Sequence, residues 1–395
     1  MRKTIGIDAR MYGTKNAGIG RYTANLIDHL SQLKSFDQFS WILFIRAKDQ
    51  QTLKKKYQKK FSYVVADFPH YSLAEQIIFP IKLYQQKCHL VHFPHFNVPL
   101  FYFRPFVVTI HDLIKHQSRG KQTTTRKPLF YKIKFFFYRI VIAQAIKKAQ
   151  KIFTPSQFVK SQINNHYQID QKKIVVTYEG VDDKFSIPKS QFPNKKRKEI
   201  LKKYQIKKPY LLYVGSVYPH KNIDHLIEAI KIAKKKVPDL SLVIVCSRNV
   251  FWQRLKKKIH SIDADNFVTL TGFVPDKELA LLYKEAESFV FPSLMEGFGL
   301  PPLEAMASSC PVISSHAACL PEIYGNAALF FDPLDPEDMA EKIIKMVTDQ
   351  KLQKEYRVRG RKKIKEYSWQ KMAQKTFEEY RQVIERKRPK PNLKK

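Results

Sequence analysis

The feature that most narrows what this chain can fold into is an alternation. Short apolar runs of strand length recur at residues 4–7, 41–45, 90–93, 106–110, 151–154 and 174–177. After a gap they recur at 210–214, 241–245, 267–270, 288–291 and 311–314. Helical periodicity fills the intervals, as at 20–33, 222–236 and 336–349. The last of these opens on Asp335-Pro336, an N-cap followed by proline in the first helical position. Strands and helices in strict alternation build parallel sheets with helices on both faces. A chain of 395 residues is too long for one such core. The alternation breaks only across 183–208, which holds Pro188, Pro193 and many lysines. The pattern therefore predicts an α/β protein of two doubly wound, Rossmann-like domains, 1–185 and 206–370, joined by a connection at 186–205. A C-terminal helix and basic tail, 371–395, can pack back on the first domain. Ligands of open parallel sheets bind beyond the carboxyl ends of the strands, so two such sheets predict a site in the crevice between domains.

Charge limits the partners. Lys and Arg number 71 against 35 Asp and Glu, a net +36, which favours nucleic acid, anionic lipid or phosphorylated small molecules without choosing among them. No helix-turn-helix, zinc-finger or RNP-type aromatic motif accompanies the charge, so nucleic acid is not expected. Cys88, Cys246, Cys310 and Cys319 show no paired spacing and read as reduced core residues of a cytoplasmic protein. The start lacks the apolar segment of a signal peptide, and no run of about 20 uncharged apolar residues spans a membrane. The most apolar stretch, 129–146, is interrupted by Lys132, Lys134 and Arg139. Around it, 126–150 interleaves basic and aromatic residues and has two readings. It is either an interfacial helix on an anionic leaflet or a core helix feeding the strand at 151–154.

Glycine is scarce, 12 in 395 residues, or about 3% where roughly 7% is usual, so its placement carries weight. Gly18 and Gly20, with Arg21, follow the first strand, where glycine lets backbone N–H groups approach an anion at a helix start. Thr23 leaves the dinucleotide fingerprint incomplete, and a plain tight turn competes with that reading. His111-Asp112 ends another strand. Either the histidine serves a site with Asp112 orienting its ring, or it is structural and Asp112 is an N-cap. In Gly215-Ser216 through Lys221-Asn222, a strand, a glycine turn and a lysine at a helix start form an electropositive phosphate pocket, although the P-loop pattern is absent. Glu296-Gly297-Phe298-Gly299-Leu300-Pro301-Pro302-Leu303-Glu304 follows a strand and opens a helix. The N–H groups near Gly299 and Leu300 can cradle phosphate or a sugar hydroxyl, and the two carboxylates can reach two ends of one ligand. A glycosidase-like acid and base is the competing reading, disfavoured because Glu304 would project beside the pocket and not across a scissile bond.

Glu296 and Glu304 match the E-x7-E motif, and over nearly its whole length the chain resembles the retaining GT-B glycosyltransferases of family 4. Ile7-Asp8-Ala9-Arg10, Ala17 to Tyr22, His111 to Leu113, Glu179 to Asp182, the loop from Gly215 to Asn222 and Gly272 to Val274 occur in the order that family shows. The nearest branch it resembles is the bacterial mannosyltransferases of O-antigen and capsule assembly. The resemblance implies that Lys221 holds the donor diphosphate, Glu296 contacts the transferred sugar and Glu304 binds the ribose. It implies that Phe298, Gly299 and Leu300 support phosphate and sugar through their backbone, that His111 joins the sugar site, and that Gly18, Gly20 and Arg21 approach the diphosphate. Val274 would lie beside the base. Ser216 stands where many relatives carry arginine, with Arg21 or His220 as substitutes for the missing cation. The implied reaction is metal-independent, retaining hexosyl transfer from a nucleotide-sugar, GDP-mannose favoured and a UDP-sugar possible, with no cofactor. The acceptor would be a glycan or lipid-linked glycan at the inner face of the plasma membrane. The alternatives are a synthase or phosphorylase of the same fold acting on a soluble sugar and, more distantly, a basic nucleic-acid-binding protein.

Overall fold

The computed structural model describes residues 2–13, 16–117, 128–186 and 192–385. The chain divides into two compact units. The first is Met1–His111, Leu129–Tyr178 and Trp369–Lys395; the second is Asp112–Pro128 and Glu179–Ser368.

The first unit is built on β1 (Lys3–Asp8), β2 (Phe39–Ile45), β3 (Ser62–Val65), β4 (Leu90–Phe93), β5 (Phe106–Thr109), β6 (Lys151–Thr154) and β7 (Ile174–Val176). They form one parallel sheet in the order β3-β2-β1-β4-β5-β6-β7. The second unit holds β8 (Tyr210–Val214), β9 (Ser241–Val245), β10 (Val268–Gly272), β11 (Ser288–Phe291), β12 (Val312–Ser315) and β13 (Ala328–Phe331). These are parallel in the order β10-β9-β8-β11-β12-β13. Central strands such as Leu90–Phe93 and Ser288–Phe291 are buried at every position. A parallel sheet covered by helices on both faces demands that, which is why these strands stand out as continuous apolar runs. β3 and β13 were not among the expected strands. Each is an edge strand with a single partner, and Ser62–Val65 has no fully buried residue.

The segment expected as a connection, 186–205, contains the helix Asn194–Lys203, which is part of the second unit. The chain already enters that unit at Glu179. Phe185 is fully buried with its ring 5.9 Å from Tyr283, and its carbonyl accepts a hydrogen bond from Ser308 Oγ at 3.0 Å. Arg197 and Lys203 pair with Glu285 and Glu278. The lysine-rich composition that suggested a linker is one solvated helix face, and Ile200 supplies the buried contact. Residues 187–191 and the basic tail from 386 lie outside the described residues.

The second half of the helix Pro128–Lys148 is the core helix that one reading of its sequence expected. Val141, Ile142, Ala145 and Ile146 are buried, whereas Ile133, Phe136, Phe137 and Ile140 are exposed. All four cysteines are buried and unbridged. Burial pushes the Cys88 thiol up to about 11 and that of Cys246 to about 12.

The C-terminal helix Trp369–Glu385 completes the first unit. Phe377 packs on Phe39 and Trp41, and Lys151 pairs with Glu379 at 2.8 Å. Inside, Tyr380 OH meets His92 Nδ1 at 2.5 Å, His92 Nε2 meets Thr109 Oγ1 at 2.8 Å, and Tyr22 OH meets the same Thr109 oxygen at 3.0 Å. Burial holds the His92 ring neutral, its pKa pushed down to about 3. A neutral ring donates on one side and accepts on the other, which suits a chain of hydroxyls.

Tyr380→Phe removes one hydroxyl from this fully buried chain. It should destabilise the protein by about 1–3 kcal/mol, measured by urea unfolding. His92 folds neutral but titrates near 6.5 when unfolded. Its contribution is therefore complete above that pH and is lost as pH falls toward 3, by up to about 1.4 kcal/mol per pH unit. A flat stability profile across that window would contradict the neutral assignment.

Candidate active site

In the second unit the chain runs from β8 toward one edge of the sheet and, after β10, crosses to β11 and runs toward the other. The crevice at such a reversal, outside the carboxyl ends of β8 and β11, is the ligand position of doubly wound sheets. The loops following those two strands, with the helix Leu300–Ala307, carry Ser216, Lys221, Glu296, Phe298, Gly299, Leu300 and Glu304 of the expected site residues.

After β8, the Tyr213 hydroxyl donates to the Ser216 carbonyl at 2.7 Å and shapes the turn. A 3-10 turn, Pro219–Lys221, follows. Asn222 takes a left-handed conformation, φ 59°, and anchors through its side chain to the Pro333 carbonyl at 2.7 Å. The N–H of Leu294 donates to the His220 carbonyl at 2.8 Å and stitches the loop after β11 to the loop after β8. This join brings Lys221 Nζ to 2.5 Å from Glu296 Oε1, with the two side chains only 14% and 11% exposed. Two residues 75 apart in sequence thus form one largely enclosed ion pair at the reversal point.

Gly299 has φ 89° and precedes the helix Leu300–Ala307. A side chain there would put its Cβ 2.2 Å from the Tyr324 hydroxyl, which donates to the Gly299 carbonyl at 2.8 Å. Only glycine fits. Pro301 and Pro302 occupy the first helical turn, whose N–H groups have no acceptor within the helix. Glu304 lies one turn further in, 4% exposed, and accepts from the Tyr283 hydroxyl at 3.2 Å. The two glutamates therefore occupy distinct settings: Glu296 beside a cation in a loop, Glu304 inside a helix against an aromatic core.

The structure also gives the settings of His220, Val274, Phe298 and Asp112. His220 supplies no cation in place of the arginine absent at Ser216. Burial, aided by Lys221, pushes its pKa down to about 4, so the ring is neutral near pH 7. The side chains of Val274 and Phe298 are buried, the latter edge-on to Tyr367 at 5.5 Å. What the loop after Gly272 exposes instead is Phe273. Asp112 does not orient His111: it accepts from the Ile114 N–H at 3.0 Å and caps the short helix Ile114–Gln117.

The remaining expected residues belong to the first unit. Gly18, Gly20 and Arg21 lie in the first turns of the helix Ala17–Leu30, not in a loop ahead of it. Gly20 is needed there for packing, since a Cβ would sit 2.0 Å from the Gly13 carbonyl oxygen; Gly18 faces open space. His111, just past β5, sits with Nε2 2.9 Å from the Pro94 carbonyl and its ring 4.7 Å from that of Tyr22. A carbonyl only accepts, so Nε2 carries the proton.

The first unit has its own reversal, between β1 and β4, and a pocket there is lined by Asp8, Arg10, His70, His95 and Asn97 among others. Arg10 clamps Asp8 through two hydrogen bonds of 2.8 and 2.7 Å and reaches Glu75 at 2.8 Å, with its guanidinium 3.8 Å from the centre of the Phe79 ring. Glu75 also accepts from Tyr71 N and Asn97 Nδ2, each at 2.6 Å. Burial alone would raise both carboxyls. Arg10 at Asp8, and His70 with Arg10 at Glu75, outweigh it and hold both below the usual carboxylate range. Sequence reasoning gave Asp8 and Arg10 no role, because Glu75 and Asn97 join them only through the fold. No cluster of three or more His, Cys, Asp or Glu among the described residues is arranged to hold a metal.

Two family descriptions match the chain in succession: Glycosyltransferase Family 4 over residues 17–185 and Glycosyl transferases group 1 over residues 196–363. The O-antigen chain mannosyltransferase RfbU of Salmonella typhimurium is 32% identical across 69% of this chain and 68% of its own length. The O-antigen chain mannosyltransferase B of Escherichia coli is 27% identical across 92% of this chain and 96% of its own length. Among solved structures, a glycosyltransferase from Rickettsia africae ESF-5 superposes with a TM-score of 0.71 at 19% identity, covering 98% of this chain and all of that one. WaaG, a glycosyltransferase involved in lipopolysaccharide biosynthesis, gives 0.70 at 16% identity, covering 94% and 98%. The two parallel sheets, the residues at their reversal points and these matches agree: the chain belongs to the group 1 glycosyltransferases of family 4 and has their GT-B fold.

Proposed function

We propose that this glycosyltransferase moves a mannosyl group from GDP-mannose onto a lipid-linked envelope glycan, with retention of configuration and without a metal. The observation that carries the reading is the enclosed Lys221–Glu296 pair at the reversal point of the second sheet, beside the helix start at Gly299. The two mannosyltransferase relatives, both of O-antigen chains, support the choice of sugar and acceptor.

Departure of a nucleoside diphosphate leaves charge on the leaving oxygen. Lys221 is already oriented, and a phosphate oxygen can replace the Glu296 carboxylate as its partner. The Glu296 carboxylate is then available to hydroxyls of the transferred sugar. The N–H groups of Gly299 and Leu300, ahead of the two prolines that have none, add backbone donors for the same charge. In same-face transfer the acceptor oxygen forms its bond to the anomeric carbon as the bond to phosphate breaks, and the departing phosphate takes the acceptor proton. Glu304 serves the ribose, and His111 of the first unit serves the sugar. The net charge of +36 favours an anionic surface, and a lipid-linked acceptor would suit a peripheral position on the inner leaflet. No helix among the described residues is long and apolar enough to cross a membrane.

GDP-mannose should raise the melting temperature more than UDP-glucose does; the reverse order would overturn the donor assignment. Lys221→Ala should lower transfer by about 10²–10³-fold, the scale for losing one preorganised donor. Glu296→Ala should nearly abolish turnover in a protein that still folds by circular dichroism, whereas Glu304→Ala should chiefly raise the donor KM. Activity should survive EDTA, and strict dependence on Mg²⁺ or Mn²⁺ would refute the metal-independent step.

A further inference from the structure

Among the described residues, the large hydrophobic side chains that the first unit exposes, Tyr71 apart, fall on three of its segments. Leu73, Ile77, Ile78 and Ile81 stand out from the helix Leu73–Gln85, with Leu73 79% exposed. Ile133, Phe136, Phe137 and Ile140 stand out from the helix Pro128–Lys148 at spacings of three and four, which is a single helical face. Phe101 and Phe103, 60% and 66% exposed, project from the loop between β4 and β5.

These three segments are neighbours. The loop is tied to the first helix by Tyr84 OH to the Phe101 carbonyl at 3.1 Å and by the Leu100 N–H to Gln76 at 2.9 Å. It is tied to the second by Gln144 Nε2 to the Leu100 carbonyl at 2.5 Å and by Lys148, whose ammonium lies 4.5 Å from the Phe103 ring centre. The surface is therefore continuous, and a continuous exposed apolar patch marks an interaction site.

Its charge identifies the partner. The helix Pro128–Lys148 carries Lys132, Lys134, Arg139, Lys147 and Lys148, all exposed, and no acidic residue. Lys82, Lys87 and Arg104 flank the other two segments. The one carboxylate in the helix Leu73–Gln85, Glu75, is fully buried against Arg10. A second copy of the chain would set these cations against one another. An acidic soluble partner would match the cations but leave the aromatic and aliphatic tips without a reason. Apolar tips ringed by cations, with no exposed anion, match the boundary between acyl chains and anionic headgroups.

We infer that this face of the first unit inserts into an anionic phospholipid bilayer, with Phe101, Phe103, Phe136 and Phe137 entering the acyl boundary and the lysines engaging headgroups. The inference deepens the peripheral-membrane reading above. It needs neither nucleotide nor sugar, so it stands or falls apart from the choice of donor.

The full-length protein is co-sedimented with phosphatidylcholine vesicles with and without phosphatidylglycerol. Binding should require the anionic lipid. Phe136→Ser/Phe137→Ser leaves net charge unchanged and should weaken binding by at least about tenfold, whereas Val358→Ser, an exposed apolar change on the second unit, should leave it unaltered. Phe137→Trp should gain fluorescence quenching by brominated acyl chains. This second readout decides the matter if the double variant does not fold. Wild-type binding by the folded double variant, no added quenching in Phe137→Trp, or a lipid-free dimer that the double variant splits would each overturn the assignment.

Discussion

Burial of parallel strands on both faces is the constraint from which the rest of this structure follows. It makes each sheet a dry slab whose own side chains are committed to packing. Chemistry is then left to the loops at the carboxyl ends, and in particular to the place where the strand order reverses. Both units obey this. In the second, the reversal between β8 and β11 unites Lys221 with Glu296; in the first, the reversal between β1 and β4 unites Arg10 with Asp8, Glu75 and Asn97.

The two clusters differ in what they can do. Arg10 is nearly buried, its guanidinium shared between two carboxylates and stacked near Phe79, so it serves mainly to hold Asp8 ionised at the rim of a pocket. Lys221 has a single carboxylate partner in its pair with Glu296 and retains some exposure. A flexible ammonium with three donors can trade that partner for phosphate, whereas a guanidinium clamped on two sides cannot do so without leaving buried charges unpaired. The same contrast explains why His220 does not replace an arginine. Enclosed beside Lys221, its ring avoids a second positive charge.

The net charge becomes informative only when mapped onto surfaces. Lysines are spread through the whole sequence, and on the helix Asn194–Lys203 they form an ordinary solvated face that pairs with Glu278 and Glu285. On the helix Pro128–Lys148 the basic residues instead flank exposed phenylalanines with no acid between them. Basic residues thus line a packed, ion-paired helix in one place and flank exposed aromatic side chains in the other. The difference lies in what the intervening apolar residues touch.

Much was legible in the sequence. The apolar runs identified the central strands because burial on both faces leaves no room for polar alternation. Scarce glycines pointed to positions where a side chain does not fit, in a helix at Gly20 and in a turn at Gly299. The spacing of Glu296 and Glu304 and the lysine at 221 were visible as a pattern. Tertiary structure alone decided the rest. The edge strands Ser62–Val65 and Ala328–Phe331 were recognised only through their pairing in the sheets, each with a single neighbour. The Lys221–Glu296 contact, the tie of Tyr380 to His92 across 288 residues and the union of Arg10 with Glu75 join positions too far apart for any local pattern to link. Which half of the helix Pro128–Lys148 is core and which is surface was also settled only by the fold, because apolar residues look alike in sequence until something covers them.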